Sequence, residues 1–163
     1  MEKHKRPTWD EYFVEVVHAI GKRATCERGR SGTVIVRDNM ILATGYVGAP
    51  KGSPHCDDVG HLIKEVKHSD GTKSSHCLRT VHSEANAICQ AAKNGISVNG
   101  ATLYCTMLPC PNCAMLIANS GITKVIATGN YHGISVKETK EIFKYADVEL
   151  VLLSEEEIKY DNK

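Results

Sequence analysis

Two short stretches of the chain carry side chains that can bind a metal ion. His82 contributes an imidazole, and Cys110 and Cys113 contribute two thiols three residues apart. One imidazole and two thiolates suit zinc and leave one position of its tetrahedral coordination open for water. Zinc in such a site lowers the pKa of bound water, so that hydroxide exists at neutral pH. Glu84, two residues after the histidine, is placed to move protons to and from that water without binding the metal.

Each half of this pattern also has a simpler interpretation. A lone Cys-x-x-Cys is often a redox pair or half of a structural zinc site, and a lone His-x-Glu occurs by chance. A redox pair, however, leaves His82 and Glu84 without a role, and prolines flank Cys110 on both sides. The joint occurrence of the two halves in this order therefore favours a catalytic zinc site.

The composition is that of one ordinary globular domain, with 163 residues, 42% of them hydrophobic and 24% charged. A net charge of +1 argues against binding to long nucleic acid. No apolar stretch is long enough for a membrane span, and the N-terminus lacks the apolar segment of a signal peptide. We therefore expect a cytoplasmic protein without membrane association, in which the seven cysteines are metal ligands or reduced thiols.

The first part of the chain predicts a helix followed by a hairpin. A capping box at Thr8–Glu11 and helically spaced apolar residues predict a helix over about 8–24. Two β-rich runs, 34–36 and 40–43, flank Asp38-Asn39, which tolerates the positive φ of a tight turn. We expect these two runs to pair as antiparallel strands.

The later elements place both metal-binding stretches near helix starts. One helix is predicted from about Val81 to Asn94 with Thr80 as its N-cap, and another begins at Pro111 behind Cys110. The other predicted elements are strands at 101–106, 124–127 and 148–152 and a helix over 135–146. The helix over about 81–94 is expected to bury Val81, Ala85, Ile88 and Ala92. Cys89 and Cys105 are expected to pack in the core. The alternation of strand and helix implies a layered α/β sheet with helices on both faces.

Residues 45–80 form the least regular part of the chain. Glycines and prolines crowd its first ten residues, and only His61–Val66 predicts a short helix. A connection of this length inside a compact domain is usually functional or tethered. Its cysteines and histidines favour tethering. We therefore expect a single domain over residues 1–163 with an irregular, zinc-tethered insertion at about 45–80.

Several segments together resemble the deoxycytidylate (dCMP) deaminase family of the zinc-dependent cytidine-deaminase-like superfamily. They read CERGRSGTVIVRDNMILATGYVGAPKGSPHC, HCLRTVHSEANAICQAAKNG and GATLYCTMLPCPNCAMLIANSGI, followed by Tyr131-His132. The H-x-E…P-C-x-x-C pattern within them is the signature of zinc-dependent nucleobase deaminases. The resemblance runs from about Thr8 to Leu153. It implies a three-layer α/β/α sandwich with a five-stranded mixed sheet.

The resemblance also implies an activity and its partners. The expected reaction is hydrolysis of dCMP to dUMP and ammonia, with His82, Cys110 and Cys113 on the catalytic zinc and Glu84 as the proton shuttle. Members of the family are usually homo-oligomers, often hexamers, and many are activated by dCTP and inhibited by dTTP. Less favoured is a non-catalytic zinc-binding or nucleic-acid-binding module, or a tRNA-adenosine editor, because the chain lacks a basic, aromatic-rich stripe.

Four residues are expected to contact the substrate. Arg30 is favoured for the phosphate over Arg28, Lys51 and Arg79, and the resemblance places Tyr131 near the base. Ser83 occupies the small middle position of the H-x-E motif, where its hydroxyl could bond the pyrimidine carbonyl. Val47 stands where the family normally has an Asn that contacts the sugar and base, so dCTP, cytidine or a modified base are alternative substrates.

A second, structural zinc site is expected in the irregular segment. Cys26, Cys56 and Cys77 lie outside the predicted strands, and four histidines lie near them. The resemblance adds His61, at a position that some relatives use as a cysteine ligand. His76 or His68 is the alternative candidate for this fourth ligand. A closed four-ligand site would tether the segment to the domain, whereas the alternative is three reduced, partly buried thiols.

Overall fold

The computed structural model describes residues 5–67, 71, 73–130 and 136–154. Within these ranges the chain forms five helices and seven strands. In chain order they are α1 (Trp9–Gly21), β1 (Gly32–Arg37), β2 (Met40–Tyr46), α2 (Cys56–Val59), β3 (Ile63–Lys67), β4 (Lys73–Cys77), α3 (Ser83–Lys93), β5 (Thr102–Met107), α4 (Pro111–Asn119), β6 (Lys124–Gly129), α5 (Val136–Tyr145) and β7 (Glu149–Leu152). None of the helices in the described ranges combines the length and apolarity needed to cross a lipid bilayer.

Five of the strands form one mixed sheet in the order β2-β1-β5-β6-β7. Strand β1 runs antiparallel to both of its neighbours, β2 and β5. Strands β5, β6 and β7 run parallel to one another. The predicted five-stranded mixed sheet is therefore confirmed.

Helices cover both faces of this sheet because side chains alternate along its central strands. Ile35, Leu103 and Val125 point to a core shared with α3, α4 and α5. Their neighbours Val34 and Tyr104 point the other way, to a core formed with α1. The predicted three-layer α/β/α arrangement is confirmed, with three helices on one face and one on the other.

The predicted N-terminal helix and the hairpin that follows it are both present, with different bounds. Thr8 Oγ1 accepts a hydrogen bond from the Glu11 backbone N–H at 3.2 Å, and the Glu11 carboxylate accepts one from the Thr8 N–H at 2.7 Å. The helix behind this capping box ends at Gly21, three residues before the predicted end. Asp38 and Asn39 have φ values of 52° and 60°, as the tight turn between β1 and β2 requires.

The short helix predicted at His61–Val66 is wrong. Residues 63–67 form β3, which pairs antiparallel with β4 in a separate two-stranded sheet. We call this unit the β3–β4 hairpin. Six residues are too few for a helix that is stable without tertiary contacts, and the β-branched Ile63 and Val66 favour a strand once a partner strand is available.

The catalytic-site helix α3 also differs from its prediction. It starts at Ser83, and its N-cap is His82, not Thr80. Val81 forms an isolated antiparallel bridge with Gly48, so its backbone is extended and the helix begins only after it. The buried face of the helix is Ser83, Glu84, Ala87 and Ala91, and Cys89 is exposed, contrary to its predicted core position.

Candidate active site

His82 and Cys110 occupy equivalent places, each as the N-cap of a helix. The backbone of Val81, immediately before His82, donates to and accepts from Gly48 at 2.9 and 3.3 Å. Cys110 follows the end of β5, and Pro111 takes the first position of α4, where a missing N–H costs nothing. Two helix N-termini thus converge with their positive dipole ends on one point, which favours anionic ligands such as thiolates.

The three side chains have the spacing of a metal site. His82 Nδ1 lies 3.5 Å from Cys110 Sγ and 3.6 Å from Cys113 Sγ. Tetrahedral zinc with ordinary Zn–N and Zn–S bonds requires N···S separations of about 3.5 Å. The donor set and its spacing therefore fit zinc.

The protonation of these groups also suits metal binding. Hydrogen bonds from the Cys113 thiol and from His82 together lower the pKa of Cys110 to about 4, although burial acts in the opposite direction. Cys110 is therefore a thiolate at neutral pH, the form that binds zinc. Its hydrogen bond to His82 in turn raises the pKa of that imidazole to about 9, so zinc has to displace a proton from His82.

Glu84 is a buried carboxyl group at the wall of this site. Only 5% of the residue is exposed, yet it lines the same cavity as His82 and Cys110. Burial raises the pKa of its carboxyl group, while the positive charge of His82 acts in the opposite direction. A raised pKa close to a metal site is what a group that alternately accepts and donates a proton requires.

Ser83 faces the protein interior and does not reach the cavity. Its hydroxyl donates to Glu84 Oε2 at 3.2 Å, accepts from Thr33 Oγ1 at 2.9 Å and lies 3.0 Å from Ser31 Oγ. The residue is fully buried. This geometry does not fit the expected contact of Ser83 with the pyrimidine carbonyl. It fits a hydroxyl that orients the carboxylate of Glu84.

The cavity in front of the metal ligands has a volume of about 110 Å³. Val47, Met107 and Leu108 contribute apolar wall to it, which suits the face of a planar ring. The sequence did not indicate Met107 and Leu108, although their place at the end of a predicted strand just before the Pro-Cys turn was a usable signal. Tyr131, expected near the base, lies outside the described residues.

Among the described residues, the arginine that lines this cavity is Arg28, whereas Arg30, the expected phosphate ligand, does not line it. Arg28 lines the cavity, and its Nη2 donates to the Ser75 carbonyl oxygen at 3.2 Å. Arg30 is exposed and does not contribute to the wall. The connection between α1 and β1 is irregular, so the sequence carried no periodicity from which to choose between two arginines two residues apart.

Four other residues form what we call the second cluster: Cys26, Cys56, His61 and Cys77. Their ligand atoms all lie within 4.8 Å of one another. Cys26 Sγ is 3.7 Å from His61 Nδ1, and Cys56 Sγ is 3.6 Å from Cys77 Sγ. Tetrahedral zinc requires S···S separations of about 3.8 Å, so this donor set also fits.

The three thiols of the second cluster differ in acidity, because burial raises the pKa of Cys26 and of Cys56. Burial raises the pKa of Cys77, but hydrogen bonds from the backbone N–H groups of Arg79 and Leu62 oppose it, and the net value is about 7. Glu27 Oε1 lies 3.4 Å from Nε2 of His61, on the side of the ring opposite Cys26. A carboxylate in that position orients a metal-binding imidazole. Of the two substitute histidines, His76 is not part of the cluster and His68 lies outside the described residues.

Comparison with known proteins gives a consistent family. The family model "Cytidine and deoxycytidylate deaminase zinc-binding region" matches residues 7–128. The chain is 35% identical over 159 residues to ComE operon protein 2 of Bacillus subtilis, covering 98% of this chain and 78% of that protein. It is 40% identical over 123 residues to the deoxycytidylate deaminase of Mycobacterium phage D29, covering 74% of this chain and 94% of the phage protein.

A solved structure shares the same architecture. The dCMP deaminase of cyanophage S-TIM5, determined in complex with dCMP and dUMP, superposes with a TM-score of 0.71 and 26% sequence identity. The match covers 91% of this chain and 99% of the phage chain.

Proposed function

Because the chain belongs to the family of zinc-binding cytidine and deoxycytidylate deaminases, we propose that it is an enzyme that hydrolyses dCMP to dUMP and ammonia. One geometric relation supports this activity above all. Two of the three candidate zinc ligands, His82 and Cys110, border one partly apolar cavity with the buried carboxyl group of Glu84, and Cys113 completes the ligand set behind them. Hydrolysis of an aminopyrimidine requires this combination of a metal site, a proton carrier and a slot for a flat ring.

His82, Cys110 and Cys113 would hold the catalytic zinc. When bound, zinc supplies Lewis acidity that makes a water molecule acidic enough to react at neutral pH. The Glu84 carboxylate takes up a proton from the attacking water and delivers it to N3 of the cytosine ring. It then moves a second proton to the departing amine. Ser83 holds Oε2 of this carboxylate, so its orientation is fixed throughout.

Arg28 would bind the 5′-phosphate of the nucleotide. It lines the cavity, and its contact with Ser75 fixes the guanidinium group at the rim. Guanidinium groups recognise phosphate through paired N–H donors. Val47 lines the apolar part of the same cavity, where it offers the substrate surface without a polar contact.

The second cluster would hold a structural zinc. Four ligand atoms with tetrahedral spacing leave no position for water, which is the mark of a structural site. Cys56 and Cys77 bring α2 and β4 together there, and Cys26 joins them to the segment that follows α1. A zinc ion would thus tether the irregular segment to the rest of a single domain.

We also infer that the chain forms a homo-oligomer, with a hexamer as the favoured size, regulated by dCTP and dTTP. Large apolar side chains at the surface of α1 and β2 support self-association: Trp9 is 55% exposed and Met40 is 68% exposed. Light scattering on the purified protein measures the oligomer size. Assays of dCMP turnover with added dCTP or dTTP measure regulation.

A substrate panel tests the activity. Purified protein with zinc is incubated with dCMP, dCTP, CMP, deoxycytidine and cytosine, and loss of the cytosine absorbance is followed. We expect the highest kcat/KM with dCMP. Turnover of dCTP or a ribonucleotide in preference to dCMP would instead support one of the alternative substrates, and no turnover of any compound would refute the proposed activity.

A further inference from the structure

The β3–β4 hairpin supplies part of the wall of the active-site cavity. Ser75 and His76, both in β4, line this cavity together with His82 and Glu84. His76 also lines the adjoining cleft, whose wall contains His82 and Cys110. The hairpin therefore faces the metal centre, although it belongs to a separate two-stranded sheet.

Apart from the metal ligand His82, two residues bring cationic or imidazole N–H groups to the cavity. In the part of the chain that the structure describes, these are Arg28 and His76, and no lysine lines the cavity. The two are held next to each other, because Arg28 donates to the carbonyl oxygen of Ser75, the residue before His76. A guanidinium and an imidazole at one point of a cavity wall form a natural site for a phosphate group.

The ring of His76 is oriented by its neighbour on the same strand. Ser74 Oγ lies 2.7 Å from His76 Nε2. When the serine hydroxyl donates to Nε2, the neutral ring carries its proton on Nδ1. The imidazole then presents an N–H donor at Nδ1.

The second cluster holds both phosphate-binding candidates in place. Cys77 directly follows His76, and Cys26 precedes Arg28 by two residues and accepts a hydrogen bond from the Arg28 backbone N–H. Cys26 and Cys77 themselves line the cavity. The chain segments that carry Arg28 and His76 are therefore joined at the second cluster, within one or two residues of each side chain.

We propose that His76 is a specificity-determining residue that binds the 5′-phosphate of the substrate together with Arg28. The β3–β4 hairpin then makes the enzyme select a nucleotide over the corresponding nucleoside. This inference rests on the proposed deamination of dCMP, because it assigns a part of the same cavity to the phosphate of that substrate.

The test compares His76→Ala, His76→Gln and wild type with dCMP and with deoxycytidine as substrates. Loss of a hydrogen bond to a charged group lowers kcat/KM for dCMP about tenfold, through KM and not kcat. Turnover of deoxycytidine stays within about twofold of wild type because that compound has no phosphate. His76→Gln restores part of the dCMP activity, since its amide also donates an N–H. Lys67→Gln, an exposed change on the same hairpin, is the matched control and leaves both substrates unaffected.

Binding of dUMP and deoxyuridine, measured by calorimetry, gives a second readout that does not need turnover. We expect His76→Ala to weaken dUMP binding about tenfold and to leave deoxyuridine binding unchanged. Zinc content is measured alongside, because His76 adjoins Cys77. Equal losses for the compounds with and without phosphate, or no loss for either, would overturn the inference. Wild-type protein that binds dUMP but deaminates nothing would instead refute the proposed activity while the binding comparison still decides the role of His76.

Discussion

The hydroxyl of Thr139 donates a hydrogen bond to the carbonyl oxygen of Pro109 across 2.8 Å. Thr139 is fully buried in α5, thirty positions away in the sequence from the proline that it contacts. The bond ties α5 to the turn that presents Cys110. One buried hydroxyl thus connects the outer helix of the domain to the metal centre.

Replacement of Thr139 by valine keeps the shape of the side chain and removes this bond. The Pro109 carbonyl is then buried without its partner, which lowers the free energy of unfolding by about 1 to 2 kcal/mol. Urea denaturation measures the loss, and a chelator competition measures retention of zinc at the loosened turn. Thr139→Ser, which keeps the hydroxyl, is expected to retain both properties better than the valine variant. Equal behaviour of the two variants would show that the hydrogen bond is unimportant.

Gly45 allows α3 to approach β2 closely enough to place Glu84 at the cavity. A Cβ at this position would overlap the Ser83 carbonyl oxygen and the Ala87 backbone nitrogen. Gly45→Ala should therefore lower the free energy of unfolding by about 3 kcal/mol and reduce deaminase activity by displacing the start of the helix. Gly29→Ala is the control for stability, because a Cβ there meets no atom within 4 Å. An alanine at position 45 with wild-type stability would contradict this close packing.

Zinc content tests the second cluster. Wild-type protein is expected to hold two zinc ions per chain, and Cys56→Ser to hold one while still binding zinc at the catalytic ligands. Cys89→Ser is the matched control, since Cys89 is exposed and belongs to neither cluster. Elemental analysis after dialysis gives the numbers. One zinc ion per chain in wild type, unchanged in the Cys56 variant, would exclude a second metal site.

Arg28 and Arg30 offer a direct comparison at the phosphate end of the cavity. Arg28→Gln removes a guanidinium group from the cavity wall and should raise KM for dCMP about tenfold or more. Arg30→Gln removes an equal charge from the exposed surface two residues away and should change KM by less than about twofold. Steady-state kinetics with dCMP separates the two. A larger effect at Arg30 would show that the substrate approaches the cavity differently.

The residues whose chemistry is restricted were predictable from the sequence. Few residue types bind zinc in a tetrahedral site, so the types and order of His82, Cys110 and Cys113 were enough to predict a zinc site. The fold brings the three side chains together. The strands of the sheet were predictable because β-rich apolar runs mark them, and the family resemblance implied their assembly into a five-stranded mixed sheet.

Features that depend on tertiary contacts were not predictable. Helix α3 starts at Ser83, two residues after its predicted start at Val81, because residue 81 pairs with Gly48 across the irregular segment. The buried face of the helix therefore differs from the predicted one, and it includes Ser83, which faces the interior and not the cavity. The β3–β4 hairpin was missed because pairing with the next strand, β4, which the sequence did not indicate as a strand, decides the conformation of the short β3 segment.

The central claim is that Glu84 carries protons for deamination of dCMP at the zinc held by His82, Cys110 and Cys113. The most direct measurement is the rate of dUMP formation from dCMP by Glu84→Ala, with zinc content and thermal unfolding recorded on the same sample. We expect zinc and fold to be retained and kcat to fall by about 10²- to 10⁴-fold, while Glu15→Ala, an exposed change in α1, has no effect. A Glu84→Ala protein that binds zinc and forms dUMP at the wild-type rate would contradict the account.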